Sequence, residues 1–262
     1  MLDIWDVTIP ALTGDEPRRA YCYLPDFWEE EPSLRFPVLY MFDGHNLFDD
    51  DEATYGKSWG LLEFLEESQL PLIVAAVECN HGPNHERLNE YCPFNAEMPG
   101  WGKIKGQGRA TMEWLTKVFK PYIDDNYPTL PDREHTFISG SSMGGLMSLY
   151  AITAYNSVFS RCAALSPSLW FGKEKTEQML TSHRIRRGTV VYMDYGEKEL
   201  RYRSGMSRGF GYYASLLMEK GALVTARIVP GGAHNEASWE KQIPFFMDVL
   251  FYDLALDNES LS

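Results

Sequence analysis

The fold is decided by one stretch, Thr136-Phe137-Ile138-Ser139-Gly140-Ser141-Ser142-Met143-Gly144-Gly145-Leu146-Met147. An apolar strand runs directly into the pattern Gly-x-Ser-x-Gly, and an apolar helix follows. This order is typical of a nucleophile elbow, a tight turn that presents a serine hydroxyl above the carboxyl edge of a parallel sheet. Gly140 and Gly144 are the positions where the turn leaves no room for a side chain. The stretch therefore predicts Ser142 as a nucleophile.

Outward from this turn, short apolar runs alternate with helical stretches over most of the chain. Strands are predicted at 19–24, 37–42, 72–77, 135–139, 162–165, 189–193 and 224–229. Helices are predicted at 58–68, 108–125, 143–155, 174–183, 207–220 and 237–252. Strands that alternate with helices indicate an α/β fold with a mostly parallel central sheet and helices on both faces.

The beginning of the chain predicts a different kind of strand pairing. No helix is predicted between the first two strands, and Gly14-Asp15-Glu16-Pro17 has turn chemistry. We therefore expect an antiparallel N-terminal edge on the sheet. The length of 262 residues is compatible with one domain spanning 1–262. The long irregular stretch 80–105 is a candidate lid or pocket loop, because loops of that size are usually functional.

Composition excludes several classes of partner. The formal net charge of -13 disfavours nucleic acid and anionic lipid. The acidic run from Asp49 to Glu52 has no spaced ligand pattern around it, so we interpret it as a solvated loop and expect neither a metal nor a cofactor. The oligomeric state is left open, a homo-oligomer included.

The expected location is the cytoplasm. The first residues lack the basic and apolar regions of a secretory signal, and no apolar run approaches membrane-spanning length, so no membrane partner is expected. Cys22, Cys79, Cys92 and Cys162 have no Cys-x-x-Cys spacing. Such a pattern indicates buried reduced thiols rather than a disulfide framework.

A serine nucleophile needs a base and an acid. After a nucleophile elbow the acid, Asp or Glu, comes next along the chain, and the histidine base comes last. Only His183 and His234 come after Ser142. His183 lies in a charged helical stretch, whereas His234 lies in a glycine-rich loop between the last strand and the last helix. His234 is therefore the predicted base.

The acid is expected in Asp194-Tyr195-Gly196-Glu197-Lys198-Glu199, directly after a strand. Three residues after the loop glycine, Gly196, the chain has turned back toward the histidine loop. This position favours Glu199 as the acid. Asp194 and Glu197 remain alternatives.

An oxyanion hole requires two backbone donors. One is expected at Met143, the residue after the nucleophile, and the other in the loop after an earlier strand. That loop is Phe42-Asp43-Gly44-His45-Asn46-Leu47-Phe48, and we place the second donor at the N–H of His45. For the imidazole of His45 we expect a structural hydrogen bond.

Four ordered blocks resemble one family. They are Pro37 to Phe48, Gly140 to Gly145, Asp194 to Glu199, and Gly232-Ala-His-Asn-Glu-Ala-Ser-Trp239. The chain is similar to the esterase D or "putative esterase" group, which includes feruloyl and acetyl xylan esterases, S-formylglutathione hydrolase and siderophore esterases.

This resemblance implies the α/β-hydrolase fold, a catalytic triad of Ser142, Glu199 and His234, and oxyanion donors at His45 and Met143. It also implies an Arg and a Tyr four residues apart, here Arg87 and Tyr91, which we expect to pin their loop.

The predicted activity is that of a serine carboxylic-ester hydrolase acting through an acyl-enzyme on a small or sugar-linked acyl ester. Acyl transfer to an alcohol by the same triad is an alternative, and so is a catalytically silent scaffold with a binding role. Four aromatic residues in candidate loops are potential contacts for an aromatic acyl group: Trp59, Tyr91, Trp101 and Trp170.

Overall fold

The computed structural model describes residues 1–29, 31–98, 100–202 and 206–254. Within those ranges the strands are β1 Leu2–Thr8, β2 Pro17–Tyr23, β3 Val38–Phe42, β4 Ile73–Val77, β5 Ala96–Met98, β6 Gly102–Ile104, β7 Thr136–Ser141, β8 Arg161–Leu165, β9 Val190–Gly196 and β10 Leu223–Val229. The helices are α1 Pro10–Thr13, α2 Leu61–Ser68, α3 Glu86–Glu90, α4 Gly108–Trp114, α5 Lys120–Asn126, α6 Met143–Ala154, α7 Lys173–Thr181, α8 Glu197–Tyr202, α9 Met206–Glu219, α10 Glu236–Glu240 and α11 Ile243–Phe251.

Eight of the described strands form one sheet in the order β1-β2-β4-β3-β7-β8-β9-β10. The strands from β4 to β10 in this order are all parallel, whereas β2 pairs antiparallel with both β1 and β4. This is an α/β-hydrolase arrangement with an antiparallel N-terminal edge, and the predicted fold class is confirmed. The strand of residues 2–8, which completes the hairpin, was not among the predicted strands.

Helices cover both faces because successive side chains of each strand point to opposite sides of the sheet. On β3, Val38, Tyr40 and Phe42 pack into a core shared with helices α4 to α7 and α9. Leu39 and Met41 pack into the opposite core, shared with α2, α10 and α11. The central β7 and α6 are buried almost throughout, so the strand-turn-helix unit around Ser142 has rigid support on every side.

Two predicted helices are not continuous α-helices. The stretch 108–125 contains a wider π-type segment, Leu115–Phe119, between α4 and α5. The stretch 237–252 divides into α10 and α11, because Pro244 stands at the start of the second helix, where it lacks the N–H that a continuous helix would use. The second is a break in the single helix predicted, whereas residues 108–126 stay helical throughout, with one wider turn.

The stretch 80–105, predicted to be irregular, contains the short helix α3 and the antiparallel pair β5 and β6. All four cysteines are buried and unpaired. None of the described helices has the length and apolar character needed to cross a membrane.

Candidate active site

Ser142 lies in a turn with strained backbone geometry. Its φ of 57° and ψ of -118° place a residue with a side chain in a region that L-amino acids rarely adopt. The turn can be this tight because Gly140 has no side chain. A Cβ there would lie 2.8 Å from the backbone carbon of Gly144. The Ser142 hydroxyl lies 3.5 Å from the hydroxyl of Ser168, at the long limit of a hydrogen bond.

His234 and Glu199 are brought together by the parallel strands. Glu199 follows β9 and His234 follows β10, so both lie at the carboxyl edge of the sheet where β7 delivers Ser142. Nδ1 of His234 lies 2.7 Å from Oε2 of Glu199. This contact can hold the imidazole in the tautomer that leaves Nε2 free to accept a proton.

Glu199 is held by further donors. Its Oε1 accepts hydrogen bonds from the Ser166 hydroxyl at 2.6 Å and from the Gly196 N–H at 2.8 Å. Burial raises the pKa of Glu199, but hydrogen bonds from His234 and Ser166 outweigh burial and leave the pKa below its usual value. The indole of Trp239 donates to the Ser166 hydroxyl at 3.1 Å. Glu199 is therefore a fixed, ionised acceptor for His234.

The other two candidate acids have different partners. Asp194 is buried and accepts hydrogen bonds from the Tyr192 hydroxyl at 2.8 Å and the Ser166 N–H at 3.2 Å. Burial raises the pKa of Asp194 to about 6. Glu197 pairs with Arg201 at the surface and accepts the Gly231 N–H at 3.0 Å. Of the three carboxylates, only Glu199 contacts the histidine.

The two expected oxyanion donors lie on adjoining segments. Met143 is the first residue of α6, and His45 lies in the turn after β3, the strand next to β7. Among the described residues, neither backbone N–H has a hydrogen-bond partner. A Cβ on Gly144 would lie 3.1 Å from Cβ of Phe42, so the absence of a side chain there lets the two segments approach. The positive end of the α6 dipole adds to the attraction for an anion.

Asp43 fixes the turn that carries His45. Its φ of 60° is left-handed, and its carboxylate receives two hydrogen bonds of 2.7 Å from Arg87. Its N–H donates to the Tyr91 hydroxyl at 3.3 Å. Burial raises the pKa of Asp43, but the Arg87 guanidinium more than offsets this and lowers it. Both residues that the family resemblance singled out therefore hold this turn.

Comparison with known proteins identifies a family. The family model described as "Putative esterase" matches residues 12–245. The chain belongs to this esterase family. It has the α/β-hydrolase fold.

The individual proteins that this esterase resembles have low sequence identity to it. The uncharacterized protein YbbA of Bacillus subtilis (strain 168) is 28% identical over 199 residues, covering 73% of this chain and 72% of YbbA. The structure of an IroE-like serine hydrolase from Shewanella oneidensis has a TM-score of 0.74 at 20% identity and covers 97% of this chain and 80% of its own. A ferulic acid esterase structure has a TM-score of 0.64 at 18% identity, covering 96% of this chain and 97% of its own. At these identities the structures establish the fold alone.

The cavity of this esterase that contains Ser142 and His234 has a volume of about 470 Å³. Most of the residues that line it are polar or charged in type, although apolar atoms make up most of the lining surface: Asp43, His45, Asn46, Thr54, Tyr55, Cys79, Asn80, His81, Gly82, His85, Glu86, Arg87, Ser141, Ser142, His234, Asn235, Glu236 and Trp239. None of the four potential aromatic contacts, Trp59, Tyr91, Trp101 and Trp170, lines this cavity. Trp59 and Tyr91 are buried in the core instead, and Trp101 packs against His85.

One group of residues in this esterase was missed by sequence reasoning. His45, Cys79 and His81 each offer a ligand atom within 4.8 Å of the other two. The imidazole of His45 makes the expected hydrogen bond, which joins its Nε2 and the Thr54 hydroxyl at 3.0 Å. Cys79-x-His81 alone does not predict a metal site, because it supplies only two ligands. His45 lies beside these residues because β3 pairs with β4.

Proposed function

We propose that this esterase hydrolyses carboxylic esters through an acyl-enzyme. Ser142 attacks the ester carbonyl while His234 takes the serine proton, and Glu199 stabilises the imidazolium that forms. The alcohol leaves with a proton from His234, and water then releases the acid by the same route. The observation that carries the proposal is the contact of 2.7 Å between His234 and Glu199 in a cavity that Ser142 also lines.

For the tetrahedral intermediate we propose stabilisation by the N–H groups of His45 and Met143. Two preorganised donors at such a site contribute about 2.7–4 kcal/mol each to transition-state stabilisation. Support comes from the lack of another partner for either N–H among the described residues. The contact of Arg87 with Asp43 would keep the His45 donor in position.

We propose a small or sugar-linked acyl ester as substrate. The cavity is lined by amide, hydroxyl and imidazole groups, which suit an ester with hydrogen-bonding substituents better than a wholly apolar one. Of the aromatic residues, Tyr55 and Trp239 line the cavity, but none of Trp59, Tyr91, Trp101 and Trp170 does. We therefore expect acetyl esters to be better substrates than feruloyl esters.

The test is hydrolysis of p-nitrophenyl acetate, p-nitrophenyl butyrate and methyl ferulate by wild type and Ser142→Ala, with methanol added as an acceptor in a parallel series. The proposal predicts a burst of p-nitrophenol, a Ser142-dependent rate and free acid as the main product. Methyl ester as the main product would instead establish acyl transfer. Absence of any wild-type turnover would contradict the proposed activity.

We also propose the cytoplasm as the location. The four buried and unpaired cysteines support a reducing compartment. Fractionation of the native host would test this, and recovery of the protein outside the cytoplasm would contradict it.

A further inference from the structure

A second group of reactive side chains lines the active-site cavity, separate from Ser142, Glu199 and His234. The group consists of His45, after β3, and of Cys79 and His81, after β4. We call it the His-Cys-His cluster. Because β3 and β4 are neighbouring parallel strands, their loops leave the carboxyl edge of the sheet side by side. Each residue places one potential ligand atom within 4.8 Å of the other two.

His45 has an unused ligand atom. The residue is only 4% exposed, and its Nδ1 is a buried atom without a hydrogen-bond partner among the described residues. A buried polar atom left without a partner is costly, by about 1–3 kcal/mol. Its other ring nitrogen, Nε2, is anchored to the Thr54 hydroxyl. Histidines that bind metals have this arrangement, one ring nitrogen on the metal and the other held by an outer partner.

The donor set is specific in its chemistry. Two imidazoles and one thiol suit Zn²⁺, Co²⁺ or Cu²⁺ and do not suit Mg²⁺ or Ca²⁺, which prefer oxygen ligands. Three protein ligands with the fourth position open to a cavity are typical of zinc sites that exchange small ligands.

The geometry is close to what a cation needs. Tetrahedral zinc with ordinary bond lengths would hold its ligand atoms about 3.3–3.8 Å apart. The ligand atoms therefore have to approach one another by at most about 1.5 Å from their 4.8 Å upper limit. The exposed side chain of His81 can make that movement, since it is not packed in the core. The ring centroids of His45 and His81 are already 4.5 Å apart.

We propose that His45, Cys79 and His81 bind one thiophilic divalent cation, represented by Zn²⁺, and that its binding slows ester hydrolysis reversibly. On binding, the Cys79 thiol loses its proton to solvent as the sulfur–metal bond forms, and both imidazoles bind as neutral ligands. The bound ion occupies space in the cavity that Ser142 lines and immobilises the residue whose N–H is the proposed oxyanion donor. The metal binding does not depend on the proposed esterase function. The inhibition rests on that function.

Binding is tested with Co²⁺ on the Ser142→Ala protein, so that the readout does not depend on turnover. A thiolate ligand gives Co²⁺ a charge-transfer absorption in the near ultraviolet. We expect this absorption to saturate at one Co²⁺ per chain and to disappear when Zn²⁺ is added. Cys79→Ser should abolish it, and His81→Ala should weaken Co²⁺ binding at least about tenfold, the loss of one ligand.

The matched control is His85→Asn. His85 lines the same cavity but is outside the cluster, and Asn tolerates its left-handed backbone, φ 57°. Binding by this variant should equal that of the parent. No charge-transfer absorption in the parent, or an absorption retained in Cys79→Ser, would overturn the site.

Inhibition is tested on the active enzyme, with each variant's rate in Zn²⁺ divided by its own rate in a chelator. We expect several-fold inhibition of wild type and His85→Asn that the chelator reverses, and much weaker inhibition of His81→Ala. Zn²⁺ binding without inhibition would overturn the regulatory half of the proposal. Absence of any esterase activity would overturn the proposed function, while the Co²⁺ titration would still decide the site.

Discussion

Oε2 of Glu199 lies 2.7 Å from Nδ1 of His234, although 35 positions separate the two residues in the chain. The contact exists because β9 and β10 are adjacent and parallel, so the loops that follow them meet at one edge of the sheet. The other oxygen of Glu199 is occupied by Ser166 and Gly196, which leaves the carboxylate a single orientation toward the histidine.

The first prediction separates the three acids of this loop. Glu199→Gln should lower kcat by about 10²–10⁴-fold, because the amide cannot stabilise the imidazolium and favours the wrong tautomer. Glu197→Gln and Asp194→Asn should stay within a few-fold of wild type, since neither acid contacts His234. Steady-state kinetics with p-nitrophenyl acetate measure all three. A Glu199→Gln enzyme with normal kcat beside an inactive Asp194→Asn enzyme would refute the acid assignment.

The second prediction concerns stability and pH at Asp194. Burial raises its pKa from 3.8 to about 6, so between these values the folded protein keeps a proton that the unfolded chain has lost. Stability from this group is therefore full below pH 4 and falls as pH rises to about 6, by about 2–3 kcal/mol. Asp194→Asn should remove this loss, since its amide oxygen can accept the Ser166 N–H and its amide N–H can donate to the Tyr192 hydroxyl.

Urea unfolding of wild type and Asp194→Asn at intervals from pH 4 to pH 8 measures the effect. The difference between the two free energies of unfolding should grow in favour of the variant from pH 4 to pH 6 and then stay level. A difference independent of pH would contradict the raised pKa.

The third prediction tests whether Arg87 holds the turn that carries the His45 N–H. Arg87→Lys keeps the charge but loses the planar fork that binds both oxygens of Asp43. We expect a lower Tm, a loss of about 1–2 kcal/mol in the free energy of unfolding, and a kcat/KM about tenfold lower as the His45 N–H shifts. Arg109→Lys is the control, because Arg109 forms an exposed ion pair with Glu113 that contributes little. Equal behaviour of the two variants would exclude a special role for Arg87.

The fourth prediction concerns the packing of α6 against the same turn. In Gly144→Ala the new methyl group would lie 3.1 Å from Cβ of Phe42 and 3.4 Å from a carboxylate oxygen of Asp43. We expect kcat to fall about tenfold or more as the two donor segments are pushed apart. Gly209→Ala, with no atom within 4 Å of the new methyl group, should leave kcat unchanged. It should stabilise α9 by about 0.5–1 kcal/mol. Unchanged kcat in Gly144→Ala would show that the separation of these segments does not matter.

Much of the site followed from chain order. The strand, turn and helix around Ser142 are local, and His234 follows from its place after the last strand. The residues alone favoured Glu199 but left Asp194 and Glu197 as alternatives, because the choice depends on where α8 begins. Helix α8 starts at Glu197 and turns the Glu199 side chain back onto the Gly196 N–H, whereas Asp194 is enclosed by Tyr192 within the sheet.

Other features required the three-dimensional packing. Trp59 was a candidate contact for an aromatic acyl group, but it packs on Trp239 and Phe246 in the core. The His-Cys-His cluster combines two loops that are more than 30 positions apart. The edge strand β1 was missed because its half-exposed residues lack the continuous apolar run of a central strand.

The most direct test is to find which residue a fluorophosphonate modifies. Intact mass and peptide mapping of wild type, Ser142→Ala and Ser141→Ala would identify it. The account predicts one adduct on Ser142 in wild type and Ser141→Ala, formed at the rate at which esterase activity is lost, and no adduct in Ser142→Ala. Hydrolysis that survives in Ser142→Ala, or a wild-type enzyme that turns over esters yet remains unlabelled at Ser142, would contradict it.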